Sequence, residues 1–524
     1  MDGPKKIGAI TGSLEQGEDS DVDLKRRALL KQPVLAAAAL GASKLKSLDA
    51  LTSSAQPKKR PNVILYHSDQ FRWDFVCAAG QNPMDFTPNL DTMYRRGTVF
   101  ENFVTNQPLC SPSRSCLMTG QYATTTKVWR NGPGLLPDAV TIATEFKKAG
   151  YSANYIGKWH LAPLDRVGVG AVPLQYRGGF TDFWVAANAP EESTQPYNSQ
   201  FWNRDNQPVA YGDDVYRVDF LTRQAQSFLR MKHEKPFLLV ISQLEPHQQN
   251  GPCGDNDVFG FVPPRGYAEK FRSPYVPADL KALPGDWPYE LNKYYGDIKA
   301  IDESLGRIFQ TLKEENLEDE TIVIFTSDHA CHFRTRNAEY KCSGHESSIH
   351  VPLIIQGPGF DRHQRIPELV SMIDVFPSLL DSVGLPIPST VQGQSFLPLV
   401  RDPEAHKKWR NEVFIQISGT GGVARALRTP EWTYIALAPD VDVHRFPGSM
   451  RYRDYQMYNN RADPAQLVNM AGRVNLRVPT DRLVHFIGER AVPEVTAHLR
   501  ERLVERMVEA GEARPQIDYW PYYP

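Results

Sequence analysis

Four apolar, β-branched or aromatic-rich runs constrain the fold of this chain more than any other feature, because each runs straight into a cluster of reactive side chains. "NVILYHS" leads into Asp69 and Gln70, "SANYIG" into Lys158 and His160, "PFLLVIS" into His247, and "TIVIFTS" into Asp328 and His329. Little alternates within the runs and helical patterns separate them, so they read as strands buried on both faces of a mostly parallel sheet. In doubly wound α/β sheets the crevice beyond the strand C-termini holds the ligand, so segments far apart in sequence converge there. The expected architecture is a large, mostly parallel sheet sandwiched by helices, followed by a smaller antiparallel-sheet-plus-helix domain.

Helix signals fill the gaps. Thr87, Pro88 and Gly97 provide an N-cap, a first helical residue and a stop, and the stretch from Asp138 to Gly150 repeats the pattern. Residues 290–316 form a long amphipathic candidate. Near the C-terminus, "EVFIQIS" and "RALRTPEWTYIALAP" read as strands, and "VTAHLRERLVERMVEAG" places Leu499, Leu503 and Met507 on one helical face. The expected divisions are 1–57 as export signal and linker, 58–409 as the catalytic α/β domain, and 410–524 as a C-terminal α+β subdomain. A chain of 524 residues exceeds what one core usually serves, which supports two bodies.

The first 57 residues carry Arg26-Arg27, Leu29, Leu30 and Lys31 ahead of a short Ala/Leu run, a pattern that resembles a twin-arginine export signal. A basic amphipathic arm is the alternative. The run from Val34 to Ala42 is too short to span a bilayer, and no later stretch is apolar enough. The expected location is therefore periplasmic or extracellular, reached by the twin-arginine route. A formal charge of -2 gives no global bias toward nucleic acid.

Six cysteines without a CxxC pair argue against a zinc site, and spacing does not select a disulfide. Cys116 reads as a small core residue. Cys110 is different: it opens "CSPSRSCLMTG", where Pro112 suits a helix first turn and puts the thiol at the helix N-terminus, an environment that favours an anion. A cysteine protease or phosphatase needs a local imidazole or a phosphate-cradling loop, and this stretch has neither.

With Cys110, Pro112, Ser113, Arg114, Thr119 and Gly120 at this spacing, the segment resembles the signature of type I sulfatases, members of the alkaline-phosphatase-like superfamily. The resemblance extends through the strand ending in Asp69, "GKWHL" at 157–161, Pro246-His247, and "TSDH" with Lys341 thirteen residues after Asp328. It implies that Cys110 is oxidised to formylglycine by a formylglycine-generating enzyme, and that Asp69, Gln70, Asp328, His329 and residue 110 hold a divalent cation. Oxygen donors suit Ca²⁺, the expected ion, or Mg²⁺, while the imidazole at 329 keeps Mn²⁺ open. It further implies that Arg114 orients the diol and the carboxylates, and that Lys158 and Lys341 bind the non-bridging sulfate oxygens. His160 would deprotonate the second hydroxyl, and His247 would protonate the leaving oxygen or hydrogen-bond to it. Three positions depart from the family: Gln70 replaces an aspartate, Ala330 a glycine and His350 an arginine.

Taken singly, Asp69 and Asp328 read as turn caps and Lys158 or His247 as loop residues; the set, all at strand ends, favours chemistry. Asn337 and His345, with His332, Arg336 and Glu346 in the same loop, are candidate substrate contacts, as are Arg425 and Arg428. The expected activity is hydrolysis of a sulfate monoester, on a sulfated small molecule or glycan. The rivals are a phosphonate monoester hydrolase or phosphodiesterase of the same superfamily, and a non-catalytic exported glycan-binding homologue.

Overall fold

The computed structural model describes residues 60–250, 259–419, 421–471 and 492–519. Residues 1–57, read from the sequence as an export signal and linker, and Cys253 lie outside them.

Ten strands form one sheet in the order Arg365–Ser371, Thr98–Val104, Leu353–Gln356, Thr321–Ser327, Asn62–Ser68, Phe237–Ser242, Ser152–Lys158, Trp184–Ala187, Ser199–Asn203 and Pro208–Tyr211. The five from Thr321–Ser327 to Trp184–Ala187 run parallel. Antiparallel pairings flank them on both sides, so the sheet is mixed, with a parallel centre. The four runs singled out from the sequence are four of those five strands and the four innermost of the whole sheet.

Their side chains supply two cores by simple alternation. Val63, Leu65, Leu238, Val240, Ile322 and Ile324 enter one cluster, and Ile64, Tyr66, Leu239, Ile241, Val323 and Phe325 the other. The second face is covered by the helices Trp287–Glu314 and Arg217–Leu229, whose Leu291, Ile298, Leu305, Leu221 and Phe228 are buried in it. The first face takes Cys110–Thr119, Ile142–Lys148 and Val375–Ser382. Two helix starts differ from expectation. The second begins at Ile142, not after Asp138, because Thr141 and Thr144 form a reciprocal capping box. Thr87 precedes its helix, but its hydroxyl bonds to Asp91 instead of capping.

A five-stranded sheet follows in the order Val413–Gly419, Gly422–Arg428, Trp432–Ala438, Arg451–Asn459 and Gln516–Asp518, antiparallel except for the last pairing. The helix Val492–Glu509 buries Leu499, Leu503 and Met507 in the core cluster that also takes Phe414, Tyr434 and Met457 of this sheet.

Register brings the chemistry to one edge. Ser68 pairs with Ser327, and His67 and Gly157 both pair with Ser242, so Asp69, Asp328, Lys158 and the segment bearing His247 leave the sheet at one level. Gly157 is required for this: its φ is +102°, and a Cβ there would lie 1.9 Å from the carbonyl oxygen of Ser242.

Candidate active site

The helix Cys110–Thr119 is buried over its whole length, and its N-terminus points Cys110 at the sheet edge. Around the sulfur stand Lys341 Nζ at 3.0 Å, His329 Nε2 at 3.4 Å and His247 Nε2 at 3.9 Å. Burial alone would hold the thiol protonated; the ammonium groups of Lys158 and Lys341 and hydrogen bonds from His160 and His247 overcome this and bring it well below the ordinary range. Cys116, nearly two helical turns further on, has no such neighbours, and burial pushes it up to about 12. It is a core residue, as its position suggested.

Arg114 ties the site to the sheet. Its Nη2 lies 3.0 Å from Asp69 Oδ2 and its Nε 3.1 Å from Asp328 Oδ2, while Nη1 donates to the Lys158 carbonyl and to Ser242 Oγ. Ser113 adds a second tie through Oγ to the Asp328 carbonyl at 2.7 Å. Lys158 Nζ lies 2.7 Å from Asp69 Oδ2 and 2.8 Å from Glu191 Oε1. His247 Nδ1 is 2.6 Å from the Gln248 carbonyl, so that nitrogen carries the proton and Nε2 faces Lys341 Nζ at 2.6 Å. Gln70 and His160 both hold left-handed backbone, at φ 68° and 55°, which non-glycine residues adopt at a cost.

One ligand atom from each of Asp69, Cys110, Asp328 and His329 lies within 4.8 Å of the others. The donor set fits a divalent cation on four counts. Asp69 Oδ1 and Gln70 Oε1 are buried acceptors without hydrogen-bond partners, an expensive condition unless an ion is bound. Gln70 Nε2 donates to Gln248 Oε1 at 2.8 Å, which fixes the amide and leaves its oxygen for coordination. Burial and the adjacent Asp69 charge push the Asp328 carboxyl up, a strain that a cation relieves. His329 Nδ1 bonds the Ala330 carbonyl at 3.1 Å, leaving Nε2 as a donor atom to a metal.

Glu191 escaped the sequence reading. It lies in the short helix Pro190–Ser193, is 2% exposed, and its Oε1 lies 3.4 Å from His160 Nδ1 as well as against Lys158. Burial would raise its pKa, but Lys158, His160 and His247 hold the carboxyl down at about 2.

The loop residues expected to touch substrate also have partners within the protein. Asn337 Nδ2 donates to the carbonyls of Lys341 and Cys342, and buried His345 bonds Tyr458 through Nε2. His332 Nε2 meets the Lys341 carbonyl, and Arg336 donates to the carbonyls of Ala465 and Gln466. Arg425 is buried against Glu512, and Arg428 pairs with Glu346. These groups shape the loop that carries Lys341 and fasten it to the second sheet.

A reactive residue at a helix N-terminus, set among cations and hard oxygen donors beyond the ends of parallel strands, defines an ester hydrolase of the alkaline-phosphatase-like superfamily. The chain belongs to the sulfatase family: the sulfatase model matches residues 61–385, and the model for the C-terminal region of N-sulphoglucosamine sulphohydrolase matches residues 340–485. It is a sulfuric ester hydrolase. It is 27% identical over 484 residues to the ulvan-active sulfatase of Formosa agariphila, covering 88% of each chain. It is also 27% identical over 455 residues to arylsulfatase K of Rattus norvegicus, covering 79% of this chain and 76% of the relative. A solved structure from work on glycosaminoglycan metabolism by Bacteroides thetaiotaomicron shares the fold with a TM-score of 0.70 at 22% identity, covering 87% of this chain and 97% of the other.

Proposed function

We propose that the protein hydrolyses a sulfate monoester on a carbohydrate, with Cys110 converted to formylglycine by a formylglycine-generating enzyme. Asp69, Gln70, Asp328 and His329, with residue 110, would hold the divalent ion, calcium in this reading because oxygen donors predominate. The ion contributes Lewis acidity, and the hydrated aldehyde contributes a nucleophilic oxygen and a second hydroxyl whose deprotonation lets sulfate leave. The observation that carries the reading is the placement of the Cys110 sulfur, 3.0 Å from Lys341 Nζ and 3.4 Å from His329 Nε2, within the cluster that contains Asp69 and Asp328.

The chain's own groups have separate tasks. Lys158 and Lys341 hold the non-bridging sulfate oxygens, where negative charge must stay compensated during transfer. Arg114 fixes the two strand-end carboxylates relative to the helix that bears residue 110. His247, whose Nδ1–H is committed to the Gln248 carbonyl, would in its doubly protonated form deliver the Nε2 proton to the departing alcohol oxygen, and otherwise meets that oxygen by hydrogen bonding. His160, beside Glu191, accepts a proton from the second hydroxyl. Asn337 and His345 support the loop of Lys341 and so act on substrate through it.

A sulfated glycan is the substrate class supported by the relative whose name refers to ulvan and by the glycosaminoglycan context of the similar structure. Export by the twin-arginine route to the periplasm or beyond accords with the Arg26-Arg27 pattern. Among the described residues no helix is long and apolar enough to cross a membrane.

The test is sulfate release from a panel of sulfated saccharides and an aryl sulfate, by protein co-expressed with the formylglycine-generating enzyme, alongside peptide mass at position 110. Release that requires the conversion supports the proposal. Faster turnover of a phenyl phosphonate than of any sulfate ester would transfer the reading to phosphonate monoester hydrolysis. Glycan binding with an unconverted thiol and no release would make the protein a binding module.

A further inference from the structure

Glu191 is the one carboxylate in the site that the donor set for an ion does not require. Its Oε1 lies 2.8 Å from Lys158 Nζ, while Oε2 is buried without a hydrogen-bond partner. The placement is enforced from behind. Gln249 Nε2 donates to the carbonyls of Glu191 and Thr194 at 2.8 and 2.9 Å, and Arg217 joins Thr194 Oγ1 at 3.1 Å to Glu245 Oε1 at 2.7 Å. The short helix of Glu191 is thus pinned to the segment bearing His247.

The consequence is an inequality between the two lysines of the site. Lys158 is held between two carboxylates, Asp69 at 2.7 Å and Glu191 at 2.8 Å. Lys341 instead faces the Cys110 sulfur and the His247 ring. Both lysines reach a bound sulfate, but Lys158 does so with its charge offset by carboxylates, while Lys341, once residue 110 is no longer a thiol, is less compensated.

Sulfate ester hydrolysis makes that difference useful. A sulfate monoester carries one negative charge. Water cleaves its S–O bond to the alcohol, the alcohol oxygen takes a proton, and inorganic sulfate departs as a dianion with a second proton released to solvent near neutral pH. The same pocket therefore holds a monoanion on entry and a dianion at exit. Coulomb attraction scales with ligand charge, so surplus positive charge at Lys158 would favour the dianion about twice as strongly as the monoanion and retain product.

We infer that Glu191 is a charge-balancing residue that offsets Lys158, so that the pocket discriminates against dianions: inorganic sulfate, and phosphate monoesters of the same shape. This deepens the sulfatase reading and rests on it.

The experiment is calorimetric binding of methyl sulfate and inorganic sulfate, a monoanion and a dianion, to the matured protein near neutral pH. The wild type should bind the dianion no more tightly than the monoanion. In Glu191→Gln the dianion should gain about tenfold more affinity than the monoanion, and Glu191→Asp, which keeps the charge, should retain the wild-type ratio. Equal changes for both ligands in Glu191→Gln would overturn the inference, as would a wild type that already prefers inorganic sulfate about tenfold. That wild-type comparison decides the matter even where Glu191→Gln does not fold. Binding is read without turnover, so failure of the sulfatase reading shows separately, as absence of sulfate release from an aryl sulfate while the binding ratio stands.

Discussion

Arg114 Nε donates to Asp328 Oδ2 across 3.1 Å with both side chains sealed from solvent, so the helix bearing residue 110 is joined to a strand end by a buried ion pair. The same guanidinium reaches Asp69 at 3.0 Å. Removing it strands the buried Asp328 carboxylate and leaves Asp69 to Lys158 alone. Arg114→Ala should cost about 3 kcal/mol or more in denaturant unfolding, in the range seen when one partner of a buried pair is removed. Arg114→Lys should recover only part of this, because one ammonium does not reproduce the fork that reaches both carboxylates. A variant with unchanged stability would show that the pairing does not organise the site.

Gly157 offers a sharper structural test. A methyl group there would meet the Ser242 carbonyl oxygen at 1.9 Å, on backbone of φ +102° that a β-carbon disfavours. Both partners are strand backbone at the centre of the sheet, so neither yields easily. Gly157→Ala should destabilise by about 3 kcal/mol, combining overpacking with a strained φ. The midpoint of chemical denaturation measures it, and a shift much smaller than this would mean that the strands separate freely at this point.

What the sequence disclosed and what it hid divide along physical lines. The central strands were legible because burial on both faces leaves an unbroken apolar run, and because the chemistry sits at their ends. The strands outside these four were less legible, since Trp184–Ala187, Ser199–Asn203 and Leu353–Gln356 are too short to carry a period. Glu191 was hidden for another reason. It stands beside Glu192 at the start of a short helix, where acidic residues usually serve the helix dipole in solvent, and only the tertiary fold buries it against Lys158. Asn337 and His345 have structural partners that the sequence did not show. Polar residues in the loop of Lys341 resemble a binding surface, yet their hydrogen bonds serve the loop backbone and Tyr458.

The unpartnered Asp69 Oδ1 and Gln70 Oε1 make ion binding a stability question as well as a catalytic one. Calcium that binds only the folded protein, at about a hundredfold excess over its dissociation constant, should add about 3 kcal/mol and raise Tm; chelation should reverse the gain. Gln70→Asp should tighten the ion by adding a charged ligand, and Gln70→Ala should loosen it. A Tm indifferent to chelator and to calcium, in wild type and Gln70→Asp alike, would argue against an ion at these residues.

Glu191 also sets an acid limb for stability. Its carboxyl is held at about 2 in the folded protein against an ordinary 4.5: burial works against ionisation, and Lys158, His160 and His247 outweigh it. A depressed carboxylate stabilises the fold fully above its unfolded pKa, so the contribution is complete above 4.5 and is lost as pH falls from there toward 2. A shift of this size corresponds to about 3 kcal/mol. Urea unfolding followed across that interval should show the wild type losing stability more steeply than Glu191→Gln, whose amide does not titrate, with the two slopes meeting above the interval. Parallel slopes throughout would mean that the folded protein does not hold Glu191 ionised against Lys158.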